Sequence, residues 1–301
     1  MKKITYIPGS GQKELLSTIL LFTVPTLILL ITFQLVPILK AVQYSLYSYN
    51  LISGNKVFLG FENYVKAFQD ERFLNSLKTT VKYFLMRVPL QMFFGYLLAL
   101  LLVTPRKWTT TYRTIILLPV VSSMVVMTTI LGLMMHPTNG LFNAMLQLIG
   151  IKPQLYLTSP DQALYAIVGI TVWKNVGLTM LFFLAGMFAI PASYYEAAKI
   201  DGVNYIQQQI HITLPLIKRT IVFLLMTLSI RAFQVFGPIL LTTGGGPVDS
   251  TRVVVMHIYE YAFTFNRMGY ASAMSVILAM ILILVTGLQR YYTQKNKRGE
   301  A

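Results

Sequence analysis

The chain has 301 residues, of which 55% are hydrophobic and only 12% are charged. Soluble domains carry about 25% charged residues, so this composition indicates an integral membrane protein and excludes an ordinary soluble domain. The net charge of +15 is scattered between apolar runs, which argues against nucleic-acid binding. The absence of cysteine excludes disulfides and thiol catalysis, and His136, His211 and His257 are too widely spaced to suggest a metal site.

The first apolar run follows a short basic segment, residues 1–14, with lysines at positions 2, 3 and 13. From Leu15 to Leu39 the chain has no charged residue. That run exceeds the roughly 20 residues needed to cross a bilayer. It is also too long for the apolar core of a signal peptide, and no small-x-small cleavage site follows it closely. We therefore predict an uncleaved first transmembrane span.

Five further apolar runs follow a loop at residues 40–74. They lie at about 83–104, 115–135, 163–190, 216–240 and 269–292. The chain is thus predicted to be an all-α integral membrane protein with six transmembrane helices in one domain, residues 15–292, followed by a basic tail, 293–301. No Gly-Lys-Ser or Gly-Lys-Thr triplet occurs, so a different chain binds ATP if ATP drives this protein.

The distribution of basic residues predicts the orientation in the membrane. Segments on one side hold 13 lysines and arginines in 67 residues, whereas segments on the other hold 10 in 107. Because cytoplasmic loops carry the excess of positive charge, the first side is predicted to be cytoplasmic, together with both termini. The predicted cytoplasmic segments are 1–14, 104–114, 191–219 and 289–301, and the opposite segments are 40–87, 136–163 and 238–268.

A polar stretch separates the fourth and fifth spans, with the sequence EAAKIDGVNYIQQQIHITLP at residues 196–215. Its residues predict a helix, a break and a second helix. Pro191 suits a helix start, and Ser193 with Glu196 has the spacing of a capping box. Gly202 suits the left-handed end of the first helix, and Asn204 is placed to cap the second.

The spacing within this stretch is Glu-Ala-Ala, three residues, Gly, nine residues, then Ile-x-Leu-Pro. It resembles the signature loop of the membrane subunits of binding-protein-dependent ABC importers. The resemblance implies a type I importer permease fold and a cytoplasmic loop, residues 191–219, whose short helix docks on an ATPase subunit. Glu196 would then pair with a basic residue of the ATPase, although it is equally suited to cap its own helix. The residues expected to couple the subunits are Glu196, Ala197, Ala198, Asp201, Gly202, Ile212, Leu214 and Pro215.

Further runs resemble sugar-type permeases of the same family. They are FLGFENY at 58–64, RTIILLP at 113–119, WKNVG at 173–177, LAG at 184–186, TTGGGP at 242–247 and GYASAMS at 269–275. This resemblance implies that the transported solute is a carbohydrate. It also implies three kinds of partner: a second homologous permease, two ATPase subunits that hold ATP and Mg²⁺, and an extracytoplasmic solute-binding protein. The chain itself is expected to bind no cofactor and to lie in a bacterial or archaeal cell membrane.

Polar residues within or beside the apolar runs are candidates for the path of the solute. Charges at membrane depth, such as Lys174 and Arg231, usually face a cavity or a partner. Sugars are held by hydrogen bonds and an aromatic face. The alternative is that Lys174 and Arg231 bond to helix ends or to the second permease. The predicted path residues are Trp173, Lys174, Asn175, Arg231, Gln234 and Tyr270.

A glycine-rich run lies between the fifth and sixth spans. We predict that it forms a sharp extracytoplasmic turn rather than a phosphate-binding loop, since no strand precedes it and no Lys-Ser/Thr pair follows. By resemblance, the turn contacts the solute-binding protein or the permeation gate. Its residues are Gly244, Gly245, Gly246 and Pro247.

Other functions stay open from the residues alone. A permease for another solute, such as a glycerol phosphate or an oligopeptide, has the same architecture, and the cations at 174 and 231 would suit an anionic ligand. A secondary transporter acting without an ATPase would show inverted repeats and acidic residues inside spans, and this chain has no Asp or Glu well inside a span. A membrane enzyme is disfavoured because the sequence has no catalytic constellation.

Overall fold

The computed structural model describes residues 11–298 of the chain, so the predicted terminal segments, 1–14 and 293–301, lie partly outside the described residues. The chain divides into two compact units, each described by itself. The smaller unit contains residues 11–67 and 261–276, and the larger contains residues 68–260 and 277–298.

Up to six segments have the length and apolar character of transmembrane spans when each bent helix pair is counted as one span. Four are single helices: Ile19–Ser45, Glu71–Val103, Ala163–Phe188 and Met268–Tyr291. Two are bent pairs: Thr109–Val121 with Met124–Met134, at 98°, and Tyr205–Leu216 with Lys218–Phe233, at 70°. The prediction of six spans in a helical membrane protein is confirmed, whereas the two bends were not predicted.

The smaller unit begins with the first span. Helix α1 (Gly11–Leu30) continues through a π-helical turn (Ile31–Leu35) into α2 (Val36–Ser45). An antiparallel hairpin follows, with β1 (Tyr47–Tyr49) paired to β2 (Lys56–Phe58). The hairpin departs from the predicted all-helical architecture, and the tyrosine, valine and phenylalanine residues in it are ones that strands favour.

Asn63, in the run FLGFENY, and Gly269, in the run GYASAMS, both lie against the backbone between the first span and the hairpin. Asn63 is buried, and its Nδ2 donates to the backbone oxygens of Ser45, at 2.9 Å, and Tyr47, at 3.0 Å. A Cβ atom on Gly269 would lie 1.9 Å from the carbonyl oxygen of Tyr47, so only glycine fits there. Asn63 therefore fixes the backbone between the first span and the hairpin, and Gly269 leaves the space that this backbone occupies.

The larger unit is centred on two long helices, α4 (Glu71–Val103) and α8 (Ala163–Phe188), which pack along each other. Shorter helices surround the pair. In chain order, the α-helices that follow the hairpin in the described residues are α3 (Glu62–Gln69), α4, α5 (Thr109–Val121), α6 (Met124–Met134), α7 (Leu141–Leu148), α8, α9 (Ala192–Ile200), α10 (Tyr205–Gln208), α11 (Leu214–Leu216), α12 (Lys218–Phe233), α13 (Gly237–Thr242), α14 (Val254–Tyr259) and α15 (Met268–Arg298).

The core of the larger unit consists of two buried apolar clusters. One contains Tyr83, Ile167 and Ile239, and the other contains Met180 and Phe183. The first cluster uses the N-terminal halves of α4 and α8, and the second uses their C-terminal halves. The middle of the helix pair, between the two clusters, is where polar side chains meet.

Helix α4 begins at Glu71, well before the predicted start of the second span at residue 83. Asp70 caps it, because its Oδ1 accepts from the backbone N–H groups of Arg72 and Phe73. At 1.5 Å per residue, its 33 residues span about 50 Å, which exceeds the roughly 30 Å hydrocarbon core. The apolar run at 83–104 is therefore the C-terminal part of a longer helix, whose first turns carry the charged residues Glu71, Arg72 and Lys78.

The third span is broken between α5 and α6. Ser122 and Ser123 have extended backbone angles, with ψ of 151° and 137°, and the helix axis turns by 98° there. Ser122 Oγ donates to the carbonyl oxygen of Leu118 at 3.0 Å, and hydroxyls that bond to the backbone in this way compete with the helix. The apolar character of residues 115–135 did not indicate this break.

Candidate functional site

The loop at residues 191–219 begins with a short helix that ends at Gly202. Helix α9 (Ala192–Ile200) terminates with two backbone bonds, from Val203 N–H to Ala198 O at 2.9 Å and from Gly202 N–H to Lys199 O at 3.2 Å. This is the Schellman arrangement, which requires a left-handed residue at the position of Gly202. Gly202 has φ of +71°, as the sequence predicted.

The capping predictions for this loop have different outcomes. Asn204 caps α10 as predicted, in a reciprocal capping box with Gln207: Asn204 Oδ1 accepts from Gln207 N at 2.9 Å, and Gln207 Oε1 accepts from Asn204 N at 3.0 Å. The capping box predicted between Ser193 and Glu196 is wrong. Pro191 precedes α9 as the cap residue, so Ser193 lies inside the first turn and makes no capping bond.

The carboxylate of Glu196 is exposed, and it makes no hydrogen bond or ion pair with the residues that the structure describes. Of the other predicted coupling residues, Ala197, Asp201 and Pro215 are exposed, Ile212 and Leu214 are half-buried and Ala198 is buried. The exposed carboxylate of Glu196 is therefore free to meet a cation on another chain.

Two tyrosines fix the loop to the helices. Tyr195 on α9 bonds through its hydroxyl to Thr213 Oγ1, at 3.0 Å, and Thr213 is buried. Tyr96 on α4 donates to Gln209 Oε1 at 3.1 Å. Gln209 and Thr213 begin and end a π-helical turn, so both ends of this turn are tied down. Sequence reasoning missed both contacts, because they join residues 18 and 113 positions apart.

The same loop also exposes apolar side chains. Ile200 is 87% exposed and Ile206 is 69% exposed. Tyr194, Tyr205 and Ile210 are more than half exposed as well. Several exposed apolar side chains on one short segment are typical of interaction surfaces. We call these five side chains the loop surface.

The three consecutive path candidates on α8 point in different directions. Trp173 is 48% exposed, Lys174 is buried and Asn175 is half-buried. Successive residues on a helix lie about 100° apart, so the three do not form one wall. Lys174 Nζ donates to the carbonyl oxygen of Val120 at 3.3 Å, close to the break in the third span. Asn175 Nδ2 donates to Thr171 O at 2.8 Å.

A seam of buried polar residues joins α4 to α8, and sequence reasoning missed it. Tyr83 on α4 donates to Thr171 Oγ1 at 3.0 Å, and Gln91 Nε2 donates to Thr179 Oγ1 at 3.0 Å. Arg87 lies between Tyr83 and Gln91, is 6% exposed and has no partner for its Nε among the described residues. The four-residue spacing of 83, 87 and 91 was the available signal, because it places the three residues on one helix face.

The remaining path candidates lie elsewhere. Arg231 and Gln234 are exposed near the end of α12. Tyr270 is buried in the smaller unit, where Lys66 Nζ lies 5.5 Å from the centroid of its ring. Both residues line a cavity of about 350 Å³ whose wall also includes Glu62 and Arg267. The assignment of these residues to a solute path stays a prediction.

The glycine-rich turn carries an ionic network that was not predicted. Gly244 and Gly245 have φ of +57° and +93°. Asp249 then accepts two hydrogen bonds from Arg72, from Nε at 2.8 Å and from a terminal nitrogen at 3.2 Å, and one from Arg252 Nε at 2.6 Å. Arg252 also pairs with Glu260. These contacts join the turn to the start of α4.

Two pKa values in and near this network are shifted. The hydrogen bond from Arg72, helped by Arg252, lowers the pKa of Asp249 to about 2. Burial lowers the pKa of His257, and the carboxylate of Asp70, 3.7 Å from His257 Nε2, opposes that shift. At neutral pH Asp249 is therefore ionised and His257 is neutral.

The chain belongs to the family of binding-protein-dependent transport system inner membrane components, whose model matches residues 15–298. This family membership, with the six spans, makes the chain a multi-pass membrane protein of the transport-permease class. It is 34% identical to the lactose transport system permease protein LacF of Rhizobium radiobacter, over 92% of this chain and 94% of that one. It is 32% identical to the sn-glycerol-3-phosphate transport system permease protein UgpA of Agrobacterium fabrum, over 92% and 94%.

The fold also matches a solved structure. That structure is a bacterial alginate ABC transporter in complex with an alginate pentasaccharide-bound periplasmic protein. The TM-score is 0.82 at 25% identity, with 95% of this chain and 96% of the other chain covered. The type I importer permease fold implied by the sequence motifs is thereby confirmed.

Proposed function

We propose that this chain is the permease subunit of an ATP-driven importer and forms part of the transmembrane path of a carbohydrate. The loop surface carries the proposal. It presents exposed apolar side chains on the same loop as the exposed carboxylate of Glu196. Such a surface suits a partner subunit that has an apolar cleft and a basic residue at its edge.

The loop is built to transmit movement to the membrane helices. Tyr96 ties its π-helical turn to α4, and Tyr195 ties its first helix to the same turn. In this proposal, these two contacts pass a displacement of α9 through the π-helical turn to the second span. In this proposal, the loop is cytoplasmic and a partner chain hydrolyses ATP, while this chain binds neither ATP nor Mg²⁺ and catalyses no reaction.

A carbohydrate is the solute that the relatives favour. The match to the lactose permease extends over nearly the whole of both chains, and the matching transporter structure holds an oligosaccharide on its periplasmic protein. In the proposed assembly a solute-binding protein delivers the sugar to the glycine-rich turn. A second, homologous permease completes the path.

An organic phosphate is the second candidate solute. Two observations favour it: a glycerol-phosphate permease matches at similar coverage, and the buried cation Arg87 has no carboxylate partner among the described residues. A buried cation without a counter-charge is costly and usually faces a partner or an anionic ligand.

Co-purification followed by transport tests the proposal. The chain is extracted from its native membranes in mild detergent, and the co-purifying proteins are identified. We expect an ATPase subunit and a second six-span permease. The reconstituted assembly, with its binding protein, is then assayed for ATP-dependent uptake of radiolabelled lactose, maltose and sn-glycerol 3-phosphate.

The outcomes separate the alternatives. Uptake of a sugar supports the main proposal, and uptake of glycerol phosphate alone selects the second candidate. Solute movement by the chain alone, without ATP, would overturn both and favour a secondary transporter.

A further inference from the structure

An amphipathic groove lies where α4 ends and α5 begins. It has a volume of about 460 Å³. Leu98, Leu101 and Leu102 form its apolar floor, and the short link between the helices brings Arg106 and Lys107 to its rim. The groove belongs wholly to the larger unit, and none of its residues takes part in the loop surface or the ionic network.

The two rim cations have no counter-charge. The side chains of Arg106 and Lys107 make no ion pair with the residues that the structure describes, and Lys107 Nζ rests 5.8 Å from the ring centroid of Trp108. The sequence contains no aspartate or glutamate between Glu71 and Asp161. An anion that neutralises this rim must therefore come from outside this part of the chain.

The start of α5 adds to the positive potential at the rim. Trp108 is the cap residue of this helix and offers no side-chain oxygen, and the first turn has no acidic residue. The hydroxyl of Thr109 is already engaged, since it accepts from Arg106 N at 2.8 Å and donates to Thr104 O at 3.3 Å. The helix N-terminus is thus positive and uncapped beside two cations.

The position of the groove places it at the membrane surface. It joins the end of the second span to the start of the third. Trp108 and Tyr112 are 57% and 55% exposed, and tryptophan and tyrosine favour the level of the lipid head groups. The charge distribution predicts that this is the cytoplasmic surface, where anionic lipids attract basic residues.

We infer that this groove binds one anionic phospholipid. The phosphate lies against Arg106, Lys107 and the start of α5, and an acyl chain lies along the leucines of the floor. A soluble phosphate would share the cationic rim, but the apolar floor would contribute nothing to its binding. This inference holds whichever solute the protein transports.

Trp108 supplies a direct test, since Trp173 is the one other tryptophan in the sequence. The purified full chain with Trp173→Phe is reconstituted, without other tryptophan-containing proteins, into vesicles of dioleoyl phosphatidylcholine. Either brominated phosphatidylglycerol or brominated phosphatidylcholine is added at equal mole fraction, and quenching of Trp108 fluorescence is measured. Each basic residue near a membrane surface favours anionic lipid by about fivefold, so we expect a preference on the order of 25-fold for phosphatidylglycerol.

The double variant Arg106→Gln/Lys107→Gln is expected to abolish this preference. The matched control, Lys218→Gln/Arg219→Gln, removes the same charge from the same predicted side of the membrane and is expected to keep it. Equal quenching by both lipids in the parent protein would overturn the inference, as would a preference that survives the double variant.

Two further controls separate the remaining explanations. If a few millimolar inorganic phosphate removes the preference, the site binds soluble phosphate and the lipid assignment is wrong. If the Arg106/Lys107 double variant fails to assemble, native mass spectrometry of the parent assembly is used to identify the phospholipid that it retains. Retention of phosphatidylglycerol over phosphatidylcholine then supports the inference, and retention of neither lipid contradicts it.

Discussion

Replacing Gly202 separates the folding of the loop from its docking. In the structure, a Cβ atom on Gly202 would contact nothing within 4 Å, but the residue has φ of +71°. Alanine in that conformation costs about 1–2 kcal/mol, with no added clash. Asparagine tolerates left-handed angles better than other residues and is therefore the matched control for the backbone strain. Gly202→Asp adds a charged side chain at the same point.

We expect all three variants to insert in the membrane and to co-purify with the second permease. If a partner helix approaches Gly202 closely, Gly202→Asp and Gly202→Asn both lower the solute moved per ATP hydrolysed, because each places side-chain atoms in the contact. The assay measures uptake and ATP hydrolysis on the same proteoliposomes. If Gly202→Asn keeps the parent ratio of solute moved to ATP hydrolysed while Gly202→Ala lowers it, only the backbone angle matters. If Gly202→Asp keeps the parent ratio, the docking model is wrong.

Three other predictions follow from single contacts. Tyr96→Phe removes the hydrogen bond to Gln209 and should lower the free energy of unfolding by about 0.5–1.5 kcal/mol. A double-mutant cycle with Gln209→Leu, measured by thermal denaturation, checks this. If the effects of the two substitutions are additive, the two side chains do not interact. Asn63→Ala leaves two backbone carbonyls without their donor and should lower the melting temperature clearly more than the exposed substitution Asn55→Ala. Because the pKa of Asp249 is lowered to about 2 from an ordinary 3.8, its ionic contacts stabilise the turn above pH 4 and are lost as the pH falls from 4 towards 2. Limited proteolysis of the turn should show that loss, and Asp249→Asn should remove the pH dependence.

The features that sequence reasoning predicted correctly are those encoded by neighbouring residues. Uncharged runs define the spans because crossing the bilayer requires about 20 apolar residues. Gly202 and Asn204 were placed correctly because a left-handed helix end and a capping box are decided within a few positions. The same local reasoning failed at Ser193, because Pro191 also fits a helix start and the helix begins at Ala192, two residues earlier than a cap at Ser193 requires.

The features that were missed depend on residues far apart in the chain. The contact of Tyr96 with Gln209, and that of Arg72 with Asp249, join elements separated by more than 100 residues. Predicting the polar seam between α4 and α8 requires the register of the two helices, and the sequence of one helix alone does not specify that register. The break at Ser122 was missed for another reason, since hydropathy measures composition along the chain and carries no information on the direction of the helix axis.

In the broken third span, backbone carbonyl groups supply the counter-charge of the buried cation Lys174. The carbonyl end of α5 stops inside an apolar run, where its unpaired carbonyls amount to about half a negative charge. Lys174 Nζ reaches one of these carbonyls, and Ser122 Oγ donates to another. The protein thus balances a buried ammonium without placing a carboxylate in the membrane. A carboxylate there would lose its charge on taking up a proton. The carbonyl end of a helix takes up no proton, so the negative charge opposite Lys174 does not change with pH.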